Sequence, residues 1–124
     1  MGKMISDVKS ALCRPRAGDQ VVAKATIGNG QPGGWAMKLG GDLLASGTEP
    51  KDVALGTGAS LDGKTLEISA TMKAVVPEAS RLSLRADLTA AGNAVDGAPI
   101  TIDDPAQVGD SAGYSILVFF QEVS

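Results

Sequence analysis

The chain has 124 residues, of which 11 are basic, 14 are acidic and none is histidine. Its net charge of -3 offers no general attraction to nucleic acid or to an acidic membrane, so we expect neither as a partner. The absence of histidine excludes Ser-His-Asp and Cys-His catalysis and histidine-based metal sites.

The first sixteen residues are predicted to form an arm or a short helix, ahead of a single β-sandwich domain at 17–124. Their apolar residues recur at spacings of three, four and seven, which lines one side of a helix: Ile5, Val8, Ala11 and Leu12. Arg14 and Pro15 then end the pattern. Four basic residues against Asp7 make this segment positive, so it suits the acidic remainder of the chain.

The same segment carries no apolar core of signal-peptide length, and no apolar run approaches the roughly 20 residues that span a bilayer. Cys13 is the only cysteine, so no internal disulfide forms. We therefore expect a cytoplasmic protein, with signal-independent export left open. Basic neighbours favour a Cys13 thiolate, but without histidine we predict no catalytic role for it.

Alternation predicts a first strand over 20–28 and a second around Trp35, whose ring we place in the core rather than on a ligand platform. Leu43 and Leu44 indicate a short buried segment. Residues 53–61 read as a strand with a bulge or bend at Gly56 or Gly58. The Asp62-Gly63 pair is typical of a two-residue hairpin turn.

Two stretches alternate strictly, with apolar residues at the even positions of 65–74 and 81–90. Such a pattern predicts strands with one face on the core and one in water. The segment from Val75 to Ser80 either closes a hairpin or carries the chain to the facing sheet. Arg81 and Arg85 share the solvent face, where Asp87 and Glu67 make a charge ladder a better interpretation than an anion site.

The last strand, Tyr114 to Val123, is apolar on both faces, and we therefore expect both faces to be covered. The cover is the amino-terminal helix, a second subunit or an intramolecular loop. The residues predicted at an interface are Ile5, Val8, Leu12, Leu117, Phe119 and Val123.

Short strands separated by Gly, Pro and Asp loops predict an all-β fold, an antiparallel β-sandwich of about seven or eight strands with an Ig-like or jelly-roll-like Greek key. A small β-barrel is the alternative. No catalytic or cofactor-binding residue is assigned. The leading hypothesis is a non-enzymatic structural or protein-interaction module that binds itself or another protein.

The alternative function is a ligand-binding domain for carbohydrate or calcium. Carboxylates in late loops are the weak metal candidates, because loops at one end of a sandwich can converge on a hard cation: Asp96, Asp103, Asp104 and Asp110. The spacing matches neither the EF-hand loop nor the glycine-rich nonapeptide repeat that binds calcium, and Asp is common in turns for its bonds to nearby backbone amides. No cofactor is therefore predicted.

Overall fold

The computed structural model describes residues 2–28, 31–75, 81–95 and 98–121. Within them the chain folds into two β-sheets of five strands each. In chain order the elements are β1 (Met4–Cys13), β2 (Gln20–Ile27), β3 (Gly33–Leu39), β4 (Asp42–Gly47), β5 (Asp52–Thr57), α1 (Gly58–Leu61), β6 (Thr65–Lys73), β7 (Arg81–Ala90), β8 (Asn93–Ala94), β9 (Ile100–Pro105) and β10 (Ser111–Phe120).

The first sheet has the order β1-β10-β6-β3-β4, and in the second β5-β2-β7 is followed by β8 and β9, which both pair with β7. Neighbours are antiparallel except for β1 and β10, which run parallel. The predicted β-sandwich is confirmed, with ten strands rather than seven or eight. In the described residues the sheets do not close into the alternative barrel.

The two strictly alternating strands, β6 and β7, lie in opposite sheets and contact each other across the core. Their even-numbered apolar residues are buried, except for the half-buried Ala90 at the end of β7. Several are fully inaccessible to solvent: Leu66, Ile68, Leu82, Leu84 and Ala86. β6 and β7 therefore form no hairpin with each other, and residues 76–80 between them lie outside the described residues. Trp35 is 3% exposed, and its indole Nε1 donates a hydrogen bond to the Glu49 carbonyl at 2.9 Å, so its predicted core position is confirmed.

A tight turn at Gly40 and Gly41 joins β3 to β4, and both residues have positive φ (59° and 92°), as a type I′ hairpin turn requires. The burial expected for Leu43 and Leu44 is wrong, because their exposed fractions are 59% and 41%. The reason is position: β4 is the outermost strand of its sheet.

The connection from β5 to β6 also differs from the prediction. A bulge is present where β5 pairs with β2, and Gly56 beside it has φ 130°. The strand then ends at Thr57, whose side chain caps α1 by accepting a hydrogen bond from the Ser60 amide. The hairpin expected at Asp62-Gly63 is wrong, because β5 and β6 belong to different sheets and this pair only leads from α1 into β6.

The short helix predicted near the amino terminus is wrong as well. Residues 4–13 form β1, which pairs along its whole length with β10. The carbonyls of Lys3 and Cys13 accept hydrogen bonds from the amides of Ser111 and Gln121, each at 2.9 Å. The helix-like spacing arose because this strand carries apolar residues on both faces. Residues 4–13 are thus part of the sandwich rather than an arm beside it.

Candidate interaction surface

Exposed apolar side chains line the outer face of the first sheet, where β1 and β10 run side by side. The register places Leu12 beside Phe119, and Val8 and Met4 precede Leu12 at intervals of four residues along β1. Leu117 shares this face of β10. We name this set the β1–β10 strip: Met4, Val8, Leu12, Leu117 and Phe119.

The strip is accessible in the described structure. The exposed fraction is 65% for Met4, 60% for Val8, 53% for Leu12 and 44% for Phe119. Leu117 is half-buried. The proposed cover by an amino-terminal helix is wrong, because that segment lies beside β10 as β1. Cover by an intramolecular loop is also wrong for Phe119 as far as the described residues extend, and cover by a second subunit stays a prediction.

The structure sorts the residues predicted at an interface. Val8, Leu12, Leu117 and Phe119 share one face, as the strip shows. Ile5 does not join them, because it points to the inner face and packs against the core. Val123 lies outside the described residues. The prediction missed Met4, although a period of two through Met4, Val8 and Leu12 places all three on one face of a strand.

The start of β1 is held by the carboxylate of Asp110, a residue that is 5% exposed. Its Oδ1 accepts a hydrogen bond from the Lys3 amide at 3.0 Å, and its Oδ2 accepts one from the Gln107 amide at 2.9 Å. The amides of Gln107 and Lys3 hold the pKa of Asp110 below its usual range. Asp110 therefore fixes the end of the strip that carries Met4.

The carboxylates proposed for calcium do not converge. Asp103 forms an ion pair with Arg81 at 2.9 Å on the outer side of β9, and its neighbour Asp104 faces the core. Asp110 bonds backbone amides, as described above, and Asp96 lies outside the described residues. Across 2–28, 31–75, 81–95 and 98–121 no group of three or more metal-ligating side chains is found. The three described candidates, Asp103, Asp104 and Asp110, therefore form no metal site with one another.

The charged side chains of β7 form the predicted ladder. Arg81 pairs with Asp103, and Arg85 pairs with Asp87 at 3.0 Å. All four side chains are substantially exposed, so these pairs contribute little to stability. Glu67, expected nearby, lies on β6 in the other sheet.

The thiol of Cys13 and the phenol of Tyr114 are both buried. Burial raises the pKa of the Cys13 thiol, the opposite of what a reactive thiolate requires. Burial, followed by the hydrogen bond to Asp104, raises the pKa of the Tyr114 phenol. Both groups are therefore held neutral inside the sandwich.

An open cavity of about 520 Å³ adjoins the end of β1. Its wall includes Leu12, Arg14 and Arg16, and the Arg16 amide donates a hydrogen bond to the Asp19 carboxylate at 3.2 Å. Both arginines are exposed, and no buried polar side chain is aimed into the space. The cavity has the features of a loop junction rather than of a built ligand site.

The chain matches no protein-family model, no curated protein and no solved structure. None of the helices in the described ranges is long and apolar enough to cross a membrane.

Proposed function

We propose that this chain is a non-enzymatic β-sandwich module that associates with a second copy of itself through the β1–β10 strip. The observation that carries the proposal is a row of large apolar side chains, each 44% to 65% exposed, on two neighbouring strands: Met4, Val8, Leu12 and Phe119. Soluble monomers rarely leave a large contiguous apolar patch in water, and such patches mark interaction sites. In the strip Leu12, Leu117 and Phe119 adjoin one another, whereas Ser6 and Ser10 separate Met4, Val8 and Leu12 along β1.

The composition supports the same proposal. The chain contains only four aromatic residues, one Trp, one Tyr and two Phe, so its core is built mainly from aliphatic side chains. One of the two phenylalanines, Phe119, stands on the outer face instead of in that core. Burying it against another molecule removes apolar area from water and stabilises the folded chain by mass action.

The chemistry of the remaining side chains supports a non-enzymatic role. The chain lacks histidine, and its single cysteine is buried. Its described late-loop carboxylates bond to Arg81, to Tyr114 or to backbone amides instead of meeting in a cleft. General acid and base catalysis needs such groups to be positioned together with matched pKa values.

Size-exclusion chromatography with light scattering, over a range of protein concentrations, tests the proposal. We expect the parent to form dimers. Phe119→Asp is expected to raise the dissociation constant of the dimer by about tenfold or more, since a charge replaces an apolar contact. Leu44→Asp is the matched control, because Leu44 is 41% exposed on an outer strand of the same sheet, away from the strip.

The control variant is expected to dimerise like the parent, and both variants should unfold at similar temperatures at protein concentrations low enough for both to be monomeric. A parent that remains monomeric at the highest concentration would refute self-association. Equal weakening by both substitutions would show that general surface charge, and not the strip, controls the assembly.

A further inference from the structure

The strand β1 offers the longest open edge of the sandwich. It ends the first sheet, and no strand in the described residues pairs with its free side. The edge strands β4 and β5 have six residues each and carry a register irregularity. The edge strand β9 has six residues and ends at Pro105. β1 has ten residues, no irregularity and no proline.

The backbone groups of the even-numbered residues face this open side. Odd-numbered residues turn their groups to β10, as the bonds to the carbonyls of Lys3 and Cys13 show. Because successive residues of a strand point their backbone groups to opposite sides, the even positions from Met4 to Leu12 point away from β10. The Val8 amide donates a hydrogen bond to the carboxylate of its neighbour Asp7 at 2.8 Å. One backbone donor on the open edge is therefore already bonded to a side chain of β1.

The sequence of β1 is complementary to itself when a second copy runs antiparallel with Val8 opposite Val8. Each residue then faces the one equally far from Val8 on the other side. On the outer face Met4 lies opposite Leu12, which brings the exposed apolar residues of both copies together. On the inner face Asp7 lies opposite Lys9 twice, once in each direction.

Neighbouring registers lack this complementarity. A slide of two residues one way brings Asp7 opposite its own copy, and a slide the other way brings Lys9 opposite its own copy. Like charges directly opposite each other destabilise a strand pair, whereas opposite charges stabilise it. Among these three registers, the charge pattern of β1 therefore favours the one with Val8 opposite Val8.

We infer that two copies of this chain pair edge to edge through β1, antiparallel and with a two-fold axis at Val8, so that their first sheets join into one sheet of ten strands. The inference rests on the self-association proposed above, but its contact is the open edge of β1, and the strips of the two copies then lie side by side on the outer face of the joined sheet. Pairing replaces the Asp7 carboxylate on the Val8 amide with the Val8 carbonyl of the second copy. That carboxylate then meets Lys9 of the second copy.

Charged residues pointing inward on an edge strand usually prevent such pairing, because a lone charge meets its own copy or is buried unpaired. In β1 two opposite charges stand two positions apart, and the two-fold axis at Val8 gives each one a partner. Lys9 already donates to the Thr101 carbonyl at 2.7 Å, and its ammonium group has further hydrogens for Asp7 of the second copy.

Charge reversal tests the register. Asp7→Lys and Lys9→Asp each place like charges opposite one another, and we expect each variant alone to dimerise about 10- to 100-fold more weakly than the parent. An equimolar mixture of the two variants restores both opposite-charge pairs and is expected to regain dimers, as is the double variant with both substitutions. Sedimentation equilibrium at low ionic strength measures all four samples.

The controls are Asp42→Lys and Lys51→Asp, which change the net charge equally at exposed sites outside β1 and are expected to dimerise like the parent. Single variants that dimerise normally, or a mixture that stays monomeric, would overturn the edge pairing. If Phe119→Asp dissociates the parent while charge reversal does not, the strip is the interface and the edge is not. If charge reversal dissociates the parent while Phe119→Asp does not, the edge of β1 is the interface and the strip is not.

A cross-link gives a second measurement. In a Cys13→Ala background, Val8→Cys is expected to form a disulfide-linked dimer under mild oxidation, because Cα atoms of a directly opposed, hydrogen-bonded pair stand about 5.5 Å apart. Ser46→Cys, at an exposed site on β4, is the matched control and should remain monomeric. Equal cross-linking at both sites, or none at Val8, would overturn the assigned geometry.

Discussion

Tyr114 links the two sheets through its hydroxyl group, and removing that group tests how the sandwich is held together. The side chain extends from β10 and is 1% exposed. Its hydroxyl donates to Asp104 Oδ2 at 2.8 Å and lies 3.4 Å from the carbonyl oxygen of Leu82, and both acceptors belong to the second sheet. Tyr114→Phe keeps the buried ring and removes only these interactions.

The magnitude follows from the partner and its exposure. A hydrogen bond to a charged group contributes about 1.5–3 kcal/mol, but Asp104 is half-buried, so water replaces part of the lost bond. The 3.4 Å contact with Leu82 is long and adds little. We therefore expect Tyr114→Phe to lower the free energy of unfolding by about 1–2 kcal/mol, the lower part of the range for such bonds.

Urea unfolding of the parent, Tyr114→Phe, Asp104→Ala and the double variant measures the coupling between the two side chains. We expect a coupling energy of about 1 kcal/mol, because either single substitution already removes the bond. If the effects of the two substitutions simply add, the hydroxyl and the carboxylate do not interact in solution. That result would refute the assigned link between the sheets.

The raised pKa of Tyr114 gives the same prediction a pH signature. Because its pKa in the folded state lies above the unfolded value, the stability from the neutral phenol is fully present below about pH 10 and is lost as the pH rises above it. Tyr114 is the only tyrosine, so ultraviolet absorbance of tyrosinate follows this group alone. Ionisation of the folded protein with the pKa of free tyrosine would contradict its burial.

Three further substitutions test the anchoring of β1 and the packing of the core. Asp110→Asn is expected to speed amide exchange along β1, because it weakens the hold on the Lys3 amide. The pKa of Asp110 is lowered in the folded state, so the stability that its carboxylate contributes is present above about pH 4 and is lost as the pH falls through the lowered pKa. Acid unfolding of the variant should not show this loss. Leu84→Ala should cost about 2–5 kcal/mol in denaturant unfolding because Leu84 is fully buried. Leu43→Ala, at a residue that is 59% exposed, should change stability by at most about 0.5 kcal/mol, and equal losses would contradict this burial pattern.

The sandwich could be predicted from sequence where a strand buries one face and exposes the other. β6 and β7 meet that condition, since each lies inside a sheet with its partner sheet on one side and water on the other. Their alternation is strict because every inward position touches the core. The pairing of these strands with others was not predictable, because alternation fixes the face of a residue and not its neighbouring strand.

The connections were harder to predict because local turn signals do not report which sheet comes next. Asp62-Gly63 is a residue pair that favours a two-residue hairpin turn. The four residues of α1 before it nevertheless turn the chain from the second sheet to the first. Leu43 and Leu44 are large apolar residues of the kind usually found in a core. They are exposed because β4 is the last strand of its sheet, where the outer side of the strand meets water. In both cases tertiary placement overrides the local preference.

The strand most poorly predicted, β1, is also the one on which the proposed assembly depends, and the same residues account for both facts. Asp7 and Lys9 stand on its inner face, where alternation requires apolar residues, and they hid the strand behind a helix-like spacing. An outermost strand tolerates them there because solvent reaches both side chains. In the pairing inferred above they select the register, so a break in the pattern of one chain becomes complementarity between two. If charge reversal at these positions leaves the assembly unchanged, that explanation fails, and their only role is to keep the edge soluble.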